Sequence, residues 1–186
     1  MNKLFVLLSC ICAMCINTNK NECFTPDISI NDILKLCNPE SSLLFYDKID
    51  ELIYNDSIRS VPVLCFSNEN KSEYLLAYSF YGDRKNSFAR FEIGYIVDCP
   101  YLINNVELPL SHFHTGSGVL LNMDFDNVIK LKGNDYEMLS DSIIKYKIDN
   151  FESSEFLKLY NMPEYFMEYE FSEDKLRKIT FGFEYP

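Results

Sequence analysis

The sequence predicts an α+β protein in which short helices pack on an antiparallel β-sheet. Alternating apolar and polar residues mark paired strands, most clearly between Tyr165 and Tyr185. Two short segments that follow a serine and end at a proline indicate helices. The 186 residues are 47% hydrophobic with only 6 Gly and 7 Pro, which suits one folded domain and excludes a disordered or collagen-like chain.

The first eighteen residues have the pattern of a secretory signal peptide. Lys3 gives a basic start, and Leu4 to Ile16 then runs for thirteen residues without a charge. Thirteen residues form about 20 Å of helix, too short for a hydrocarbon core of about 30 Å. We expect removal of residues 1–18 and a single exported domain, residues 19–186, in the periplasm, the cell envelope or the medium. A buried N-terminal helix is the alternative.

Two kinds of processing fit this segment. Leu7 to Cys10 reads LLSC, similar to a bacterial lipobox, which makes Cys10 a candidate for lipidation and for a lipid anchor. Ala13 to Cys15 offers small residues for ordinary cleavage instead. Residues 11–16 stay apolar, whereas a lipoprotein usually turns polar after its cysteine, so both alternatives stay open. In neither case do we expect a transmembrane span in the processed chain.

The cysteines predict disulfide bonds. Once residues 1–18 are removed, four of the seven cysteines remain: Cys23, Cys37, Cys65 and Cys99. An even number in an exported chain favours two disulfides, for which three pairings exist. We favour Cys23 with Cys37 and Cys65 with Cys99, because the second pair lies on neighbouring predicted strands. Free buried thiols are the alternative, and a metal site is disfavoured because no Cys-x-x-Cys pair remains.

Two parts of the chain resemble each other. Ile33 to Glu40 reads ILKLCNPE and Phe156 to Glu164 reads FLKLYNMPE. Each follows a serine suited to a helix N-cap, Ser29 and Ser153. Each therefore predicts a short helix that ends at its proline.

A hairpin is predicted after each helix, at Tyr74 to Tyr95 and at Tyr165 to Tyr185. The residues that match between the two are Tyr74, Tyr78, Phe80, Asp83 and Tyr95 with Tyr165, Tyr169, Phe171, Asp174 and Tyr185. We expect two diverged helix–hairpin halves, residues 29–97 and 153–186, with chance similarity as the alternative.

The remaining segments complete the predicted fold. In the first half we expect a further helix near Ser42 to Tyr54 and a strand at Ser60 to Ser67. The β-rich middle, residues 100–150, contains predicted strands at Gly118 to Met123, Asn127 to Lys132 and Ser142 to Asp149. The total is seven to nine strands and about three helices.

The charge excludes some partners. With 28 acidic and 17 basic residues the formal charge is −11, which disfavours nucleic acid and anionic membrane surfaces. A basic protein is the partner that this charge would attract.

The two histidines of the chain form a candidate metal site. On a strand, His112 and His114 would point to the same side, and Asp124 or Asp126 could supply a third ligand for zinc. Two ordinary surface imidazoles at a strand end give the same pattern, and no complete ligand motif is present.

Other motifs favour structural roles. Thr115 to Gly118 reads TGSG and lacks the endings of a phosphate-binding loop or a nucleophile elbow, so we expect a turn. Cys65 or Cys99 with His112 is a formal nucleophile and base, but export favours disulfides there. Glu168 and Glu170 are expected on the outward face of a strand, as solvated charges.

These observations favour an exported, non-enzymatic binding or interaction protein of the cell envelope or extracellular space, with a protein partner and no cofactor. The alternative from another class is a metal-binding protein or zinc-dependent hydrolase centred on His112 and His114. A lipid-tethered structural component of a bacterial envelope is the third hypothesis.

Overall fold

One large β-sheet organises the chain. The structure is a computed structural model and describes residues 24–43, 54–55, 62–80, 87–100 and 106–184. Its strands are β1 (Ser29–Ile30), β2 (Leu34–Lys35), β3 (Tyr54–Asn55), β4 (Pro62–Ser67), β5 (Glu73–Ser79), β6 (Phe88–Tyr95), β7 (Val106–Glu107), β8 (Glu137–Ser140), β9 (Ile143–Ile148), β10 (Glu164–Ser172) and β11 (Lys175–Glu184).

The sheet is mixed. Eight strands are antiparallel to their neighbours in the order β3-β4-β5-β6-β11-β10-β9-β8. The ninth strand, β7, pairs parallel with β4, and β1 and β2 form a separate two-stranded hairpin.

The predicted fold class is wrong. The helices of the described residues are α1 (Pro39–Leu43), α2 (Phe125–Lys132) and α3 (Glu155–Tyr160), with 5, 8 and 6 residues. A chain with so little helix is mostly β, and not an α+β fold of helices packed on an antiparallel sheet or of two helix–hairpin halves. Of the predicted helices, the one after Ser29 is replaced by a hairpin and the one after Ser153 is present, while most of the third lies outside the described residues.

The main core lies on one face of the sheet, here called the inner face. Its strand residues include Phe91, Tyr169 and Phe181, all 0% exposed. The elements that pack against them supply Phe24, Ile30, Leu34, Leu36, Phe113, Val119, Leu121, Val128 and Leu157. Since only the last two come from helices, loop and hairpin side chains bury most of this face.

Both predicted hairpins are confirmed. β5 pairs with β6 and β10 pairs with β11, and the two hairpins join through β6 and β11. At that junction Phe91 lies opposite Phe181, with ring centroids 5.7 Å apart. These two residues occupy matching positions in the similar segments. The second strands of the two hairpins, β6 and β11, therefore pair with each other at equivalent residues.

The first strands of the hairpins do not correspond residue by residue. Tyr74 and Tyr78 belong to an apolar cluster outside the main core, whereas Tyr165 and Tyr169 lie inside the main core. A shift of one residue along a strand moves every side chain to the other face. The sequence match therefore aligns tyrosines that point to opposite sides of the sheet.

The predicted helix after Ser29 is absent, and a hairpin stands there. Asn31 and Asp32 have φ of 49° and 56°, and the amide of Ile33 donates to the carbonyl of Ile30 at 2.9 Å. This is a tight turn for which Asn and Asp are suited, because they tolerate positive φ. Pro39 begins α1 instead of ending a helix.

The segment Asn127 to Lys132, predicted as a strand, lies in α2. Alternation of Ile129 and Leu131 with lysines resembles a strand pattern, but Val128 and Lys132 are the buried residues, and they are four apart, as on one helix face. Gly118 to Met123 forms no strand and contributes one isolated bridge. The exposed strand β8 was not predicted.

Other predictions agree with the structure. The strands at Ser60 to Ser67 and Ser142 to Asp149 are confirmed as β4 and β9. The helix after Ser153 is confirmed as α3, although its N-cap is Ser154, whose Oγ accepts from the Leu157 amide at 3.1 Å.

Two predicted segments lie mostly or wholly outside the described residues. Most of the helix predicted at Ser42 to Tyr54 lies outside the described residues, as does the predicted signal peptide. Among the residues described, no helix combines the length and the apolar character needed to cross a membrane.

Candidate functional site

The face of the sheet opposite the main core, here called the outer face, has two parts. On β4 and β5 it carries an apolar cluster of Val63, Cys65, Tyr74, Leu76 and Tyr78, on which Ile96 and Cys99 pack. On β6, β11, β10 and β9 it carries charged side chains. The two parts meet along β6.

Two adjoining cavities of about 210 and 560 Å³ run over the charged part. Glu92 and Lys178 line both, so we treat them as one outer groove. The other residues that line it are Arg90, Lys145, Phe166, Glu168, Thr180 and Glu184 in the smaller cavity, and Tyr74, Gly94, Tyr95, Asp98, Pro100, Glu170, Ser172 and Arg177 in the larger one.

Cross-strand ion pairs hold the charges of the groove in place. Glu168 lies opposite Lys145 in the register of β10 and β9, with Nζ 3.1 Å from Oε1. Glu170 lies opposite Lys178 in the register of β10 and β11, with Nζ 2.8 Å from Oε2. The Glu170 and Lys178 side chains are still 40% and 42% exposed, so they can contact a ligand. An ion pair as exposed as Glu170 with Lys178 adds little to stability. Breaking it so that either side chain binds a partner would therefore cost little free energy.

Aromatic rings contact the cations of the groove. Arg90 lies over the Tyr78 ring, 3.9 Å from its centroid, and Lys145 lies 5.0 Å from the centroid of Phe166. Both contacts have cation–π geometry, which orients the cations while leaving their hydrogen-bond donors for other groups.

Tyr74 lies at the boundary between the apolar cluster and the groove. A Cβ on Gly94 would lie only 2.6 Å from the Tyr74 ring, so glycine lets this ring cover β6. The Tyr74 hydroxyl donates to Glu92 Oε1 at 2.8 Å. Burial and the Glu92 carboxylate raise the pKa of Tyr74, which keeps its hydroxyl a neutral donor.

A short segment forms one wall of the groove. The 3₁₀ turn Ile96–Asp98 leads into Cys99 and Pro100. Asp98 accepts from Arg177 Nη2 at 3.3 Å, and the Arg177 guanidinium lies 4.5 Å from the centroid of Tyr95. We call residues 96–100 the groove wall.

The structure places the predicted zinc ligands with different partners. His112 Nδ1 lies 2.7 Å from Glu73 Oε1, and Glu73 also accepts from the Phe113 amide at 2.8 Å. His114 Nδ1 lies 2.9 Å from the carbonyl of its neighbour Thr115. Glu73 is buried, so the first contact joins the start of β5 to the loop that carries both histidines.

Asp124 is held elsewhere, by Lys175 at 2.6 Å, and hydrogen bonding to that lysine lowers the pKa of the Asp124 carboxyl. In the part of the chain that the structure describes, no three His, Cys, Asp or Glu side chains are grouped to hold a metal ion. The zinc site stays a prediction without a geometric argument in its favour.

The cysteines are partly described. Cys65 and Cys99 bring their sulfur atoms to 3.7 Å within the apolar cluster of the outer face. Contact with Cys99, together with burial, raises the pKa of Cys65. Cys37 is half-buried, and burial raises the pKa of its thiol to about 11. Its predicted partner Cys23 and the lipidation candidate Cys10 lie outside the described residues.

The TGSG segment is a turn held by hydrogen bonds of its own and by others to the N-terminal segment. The amide of Gly116 donates to the Ser29 carbonyl at 3.0 Å and that of Gly118 to the Thr115 carbonyl at 2.8 Å. The Ser117 amide donates to Asp27 Oδ1 at 2.7 Å. These amides point into the protein, which is unlike a loop that binds phosphate.

Sequence reasoning missed a buried ionic cluster beside this turn. Lys132 Nζ donates to Asp27 Oδ2 at 3.0 Å, to Ser117 Oγ at 3.3 Å and to the Thr25 carbonyl. Burial lowers the pKa of Lys132, while the carboxylate of Asp27 opposes this change. Because all three ammonium donors are satisfied, we interpret the cluster as structural. Its members are too far apart in the chain for any local pattern to connect them.

Comparison of this chain with protein-family models, with curated proteins and with solved structures finds no match.

Proposed function

We propose that this chain is an exported, non-enzymatic binding protein of the cell envelope or extracellular space, and that it holds a segment of a basic partner protein in the outer groove. The observation that carries the proposal is the groove itself, a cleft of two adjoining cavities over the middle strands of the sheet. Binding sites are concave, and side chains anchored on paired strands keep their positions better than those on loops.

The lining of the groove suits a polypeptide. Carboxylates of Glu92, Glu168 and Glu170 alternate with the ammonium groups of Lys145 and Lys178. A peptide segment carries donors, acceptors and side chains of either sign, and such a lining can pair with all of them. Phe166 and Tyr74 are buried beneath these charges and form the apolar floor of the groove.

The charge of the whole chain favours a basic partner. A formal charge of −11 attracts positively charged proteins over a distance of about 10 Å at ordinary ionic strength, and this raises the association rate. The effect acts mainly on the rate of encounter, while the groove selects the segment that binds.

Export is the second part of the proposal, supported by the pattern of residues 1–18. Expression of the full chain in an exporting host and N-terminal analysis of the product test it. A product that begins just after one of residues 15–18, or at Cys10, supports export, whereas a product that keeps Met1 inside the cell contradicts it. Labelled fatty acid on Cys10 would add the lipid anchor.

A charge swap tests the groove. The variant exchanges the two residues of each cross-strand ion pair: Lys145→Glu with Glu168→Lys, and Glu170→Lys with Lys178→Glu. The net charge is unchanged and each ion pair can still form, but every charge lies on the opposite strand. The matched control swaps the exposed pair Lys71 and Glu107, 3.3 Å apart and outside the groove.

The assay is affinity capture from a native extract of the source organism, with quantification of the bound protein. We expect wild type and the control to retain the same basic partner in stoichiometric amount and the groove variant to lose at least about ten-fold in affinity. Equal capture by the groove variant, or no stoichiometric partner for the wild type, would contradict the proposal.

A further inference from the structure

We propose that Cys65 and Cys99 form a disulfide bond that fixes the groove wall, an inference that rests on the proposed binding function for its purpose. The two sulfur atoms are 3.7 Å apart, and the side chains reach each other from β4 and from the end of the wall. Formation of the bond would shorten this distance to about 2.05 Å.

Both cysteines are buried in the same apolar cluster. Cys65 is 1% exposed and Cys99 is 8% exposed, and Val63, Leu76 and Ile96 lie around them. Among the residues that the structure describes, no other cysteine belongs to this cluster, and each of the two sulfurs is the other's neighbour. Of the three ways to pair the four cysteines, this contact favours the one that joins Cys65 with Cys99.

The groove wall needs such an anchor. Its described attachments include the Ile96 amide, which donates to the Ser72 carbonyl at 2.9 Å, and the exposed pair of Asp98 with Arg177. An exposed ion pair contributes little to the free energy of closing a segment. A covalent bond from Cys99 to the central strand β4 would hold Asp98 and Pro100 beside the groove.

The oxidation needs an acceptor of electrons, which we name as a small-molecule or protein disulfide of the export compartment. The Cys99 thiolate attacks one sulfur of that disulfide and releases one thiol, forming a mixed disulfide. The Cys65 thiolate then attacks the Cys99 sulfur and releases the second thiol. Two protons and two electrons leave the cysteines, and the acceptor is reduced to two thiols. Because burial hinders both thiols in the folded chain, the exchange takes place before the wall closes.

The bond is tested on the full chain secreted by an oxidising host and digested with trypsin without reduction. Cleavage after Arg59, Lys71, Arg90 and Lys130 places Cys65 and Cys99 on separate peptides, residues 60–71 and 91–130. We expect mass spectrometry to find these two peptides joined, and to find them separate after reduction. Separate peptides in the unreduced digest would overturn the inference.

The effect on the wall is measured by hydrogen exchange without any partner. We expect the amides of residues 96–99 to exchange at least about ten-fold faster after reduction or in the variant Cys65→Ala/Cys99→Ala, with β10 and β11 unchanged. The variant Cys23→Ala/Cys37→Ala serves as the matched control and should keep the slow exchange. If the double variant fails to fold, wild type with and without reductant gives the same comparison.

The outcomes separate this inference from the proposed function. Joined peptides with equal exchange in the two redox states would overturn the role of the bond in fixing the wall. Joined peptides with slowed exchange, but equal partner capture by the charge-swapped groove variant, would support the bond and contradict the binding function.

Discussion

Lys132 Nζ lies 3.0 Å from the carboxylate of Asp27, 105 residues earlier in the chain, and the two side chains are 0% and 1% exposed. This contact joins α2 to the N-terminal segment beneath the inner face. The Tyr165 hydroxyl donates to the Asp27 carbonyl at 2.6 Å, so the same residue also connects to β10. One buried aspartate thereby holds three distant parts of the fold together.

Lys132→Met is expected to lower the free energy of unfolding by about 3–5 kcal/mol, because it leaves the buried Asp27 carboxylate without its cation. Urea unfolding measures the change. Lys130→Met is the matched control, since Lys130 is exposed on the same helix, and it should change stability by less than about 0.5 kcal/mol. Adding Asp27→Asn to Lys132→Met should recover part of the loss. A neutral effect of Lys132→Met would contradict the structural interpretation.

Alkaline pH is expected to unfold the protein through Tyr165 and Tyr169. Burial raises the pKa of both phenols well above 10, the value of a tyrosine in the unfolded chain. Their contribution is complete below about pH 10 and is lost as the pH rises toward the folded-state pKa. Above about pH 10, each tyrosine lowers the free energy of unfolding by about 1.4 kcal/mol per pH unit.

Two measurements from about pH 8 to about pH 11 check this dependence. Urea unfolding gives the free energy of unfolding at each pH, and the absorbance of tyrosinate reports how many phenols of the folded protein have ionised. Lys132 acts with the opposite sign, because its lowered pKa makes stability rise with pH up to the ordinary lysine value of 10.5. Tyr165→Phe should remove the contribution of one tyrosine from the slope. Ionisation of both phenols near pH 10 in a folded protein would refute the expectation.

Gly182→Ala is expected to cost more than about 3 kcal/mol. Gly182 has a φ of +154°, and a Cβ there would lie 2.4 Å from the Ala89 carbonyl oxygen and 2.5 Å from Arg90 Cα. The clash falls on the junction of β6 and β11, where backbone atoms cannot move aside independently. Gly118→Ala is the control, since its φ of +85° is strained but nothing lies within 4 Å of the added Cβ. The melting temperature of Gly182→Ala should be lower than that of Gly118→Ala. The reverse order would contradict the register of β6 and β11.

Ser154→Ala is expected to lower stability by about 1 kcal/mol, because the Leu157 amide loses its acceptor at the start of α3. The neighbouring Ser153→Ala is the control, since Ser153 is exposed and its Oγ donates only to the Asn150 carbonyl at 3.3 Å. Chemical denaturation of the two variants measures the difference. A larger loss for Ser153→Ala than for Ser154→Ala would place the cap at Ser153, as the sequence alone predicts, and equal losses would contradict a cap at Ser154.

Local alternation carried the predictions that are confirmed. Tyr165, Met167 and Tyr169 alternate with Phe166, Glu168 and Glu170, and a two-residue period is a property of one strand that needs no partner. The same rule failed at Ile129 to Lys132, where a short alternating run is compatible with either period. A different signal, a serine cap followed by a terminating proline, failed after Ser29, where a positive-φ turn at Asn31 and Asp32 replaced the expected helix.

The outer groove could not be predicted, although two of its residues, Glu168 and Glu170, were expected to face outward. It depends on the order of strands in the sheet, which brings Glu92 of β6 beside Lys178 of β11 and places β10 next to both β11 and β9. Nothing local to those segments fixes this order. The predicted ligands His112, His114 and Asp124 show the converse, because closeness in sequence did not bring them together.

The sequence by itself determined the strands with a clear two-residue period, both long hairpins and the acidic charge. Those properties depend on neighbours in the chain or on composition. Only the tertiary structure decided the mostly β fold, the burial of Lys132 against Asp27 and the groove. Each of these arises where segments far apart in sequence exclude water from a shared surface. The free energy of that burial depends on both segments together, so neither segment alone predicts it.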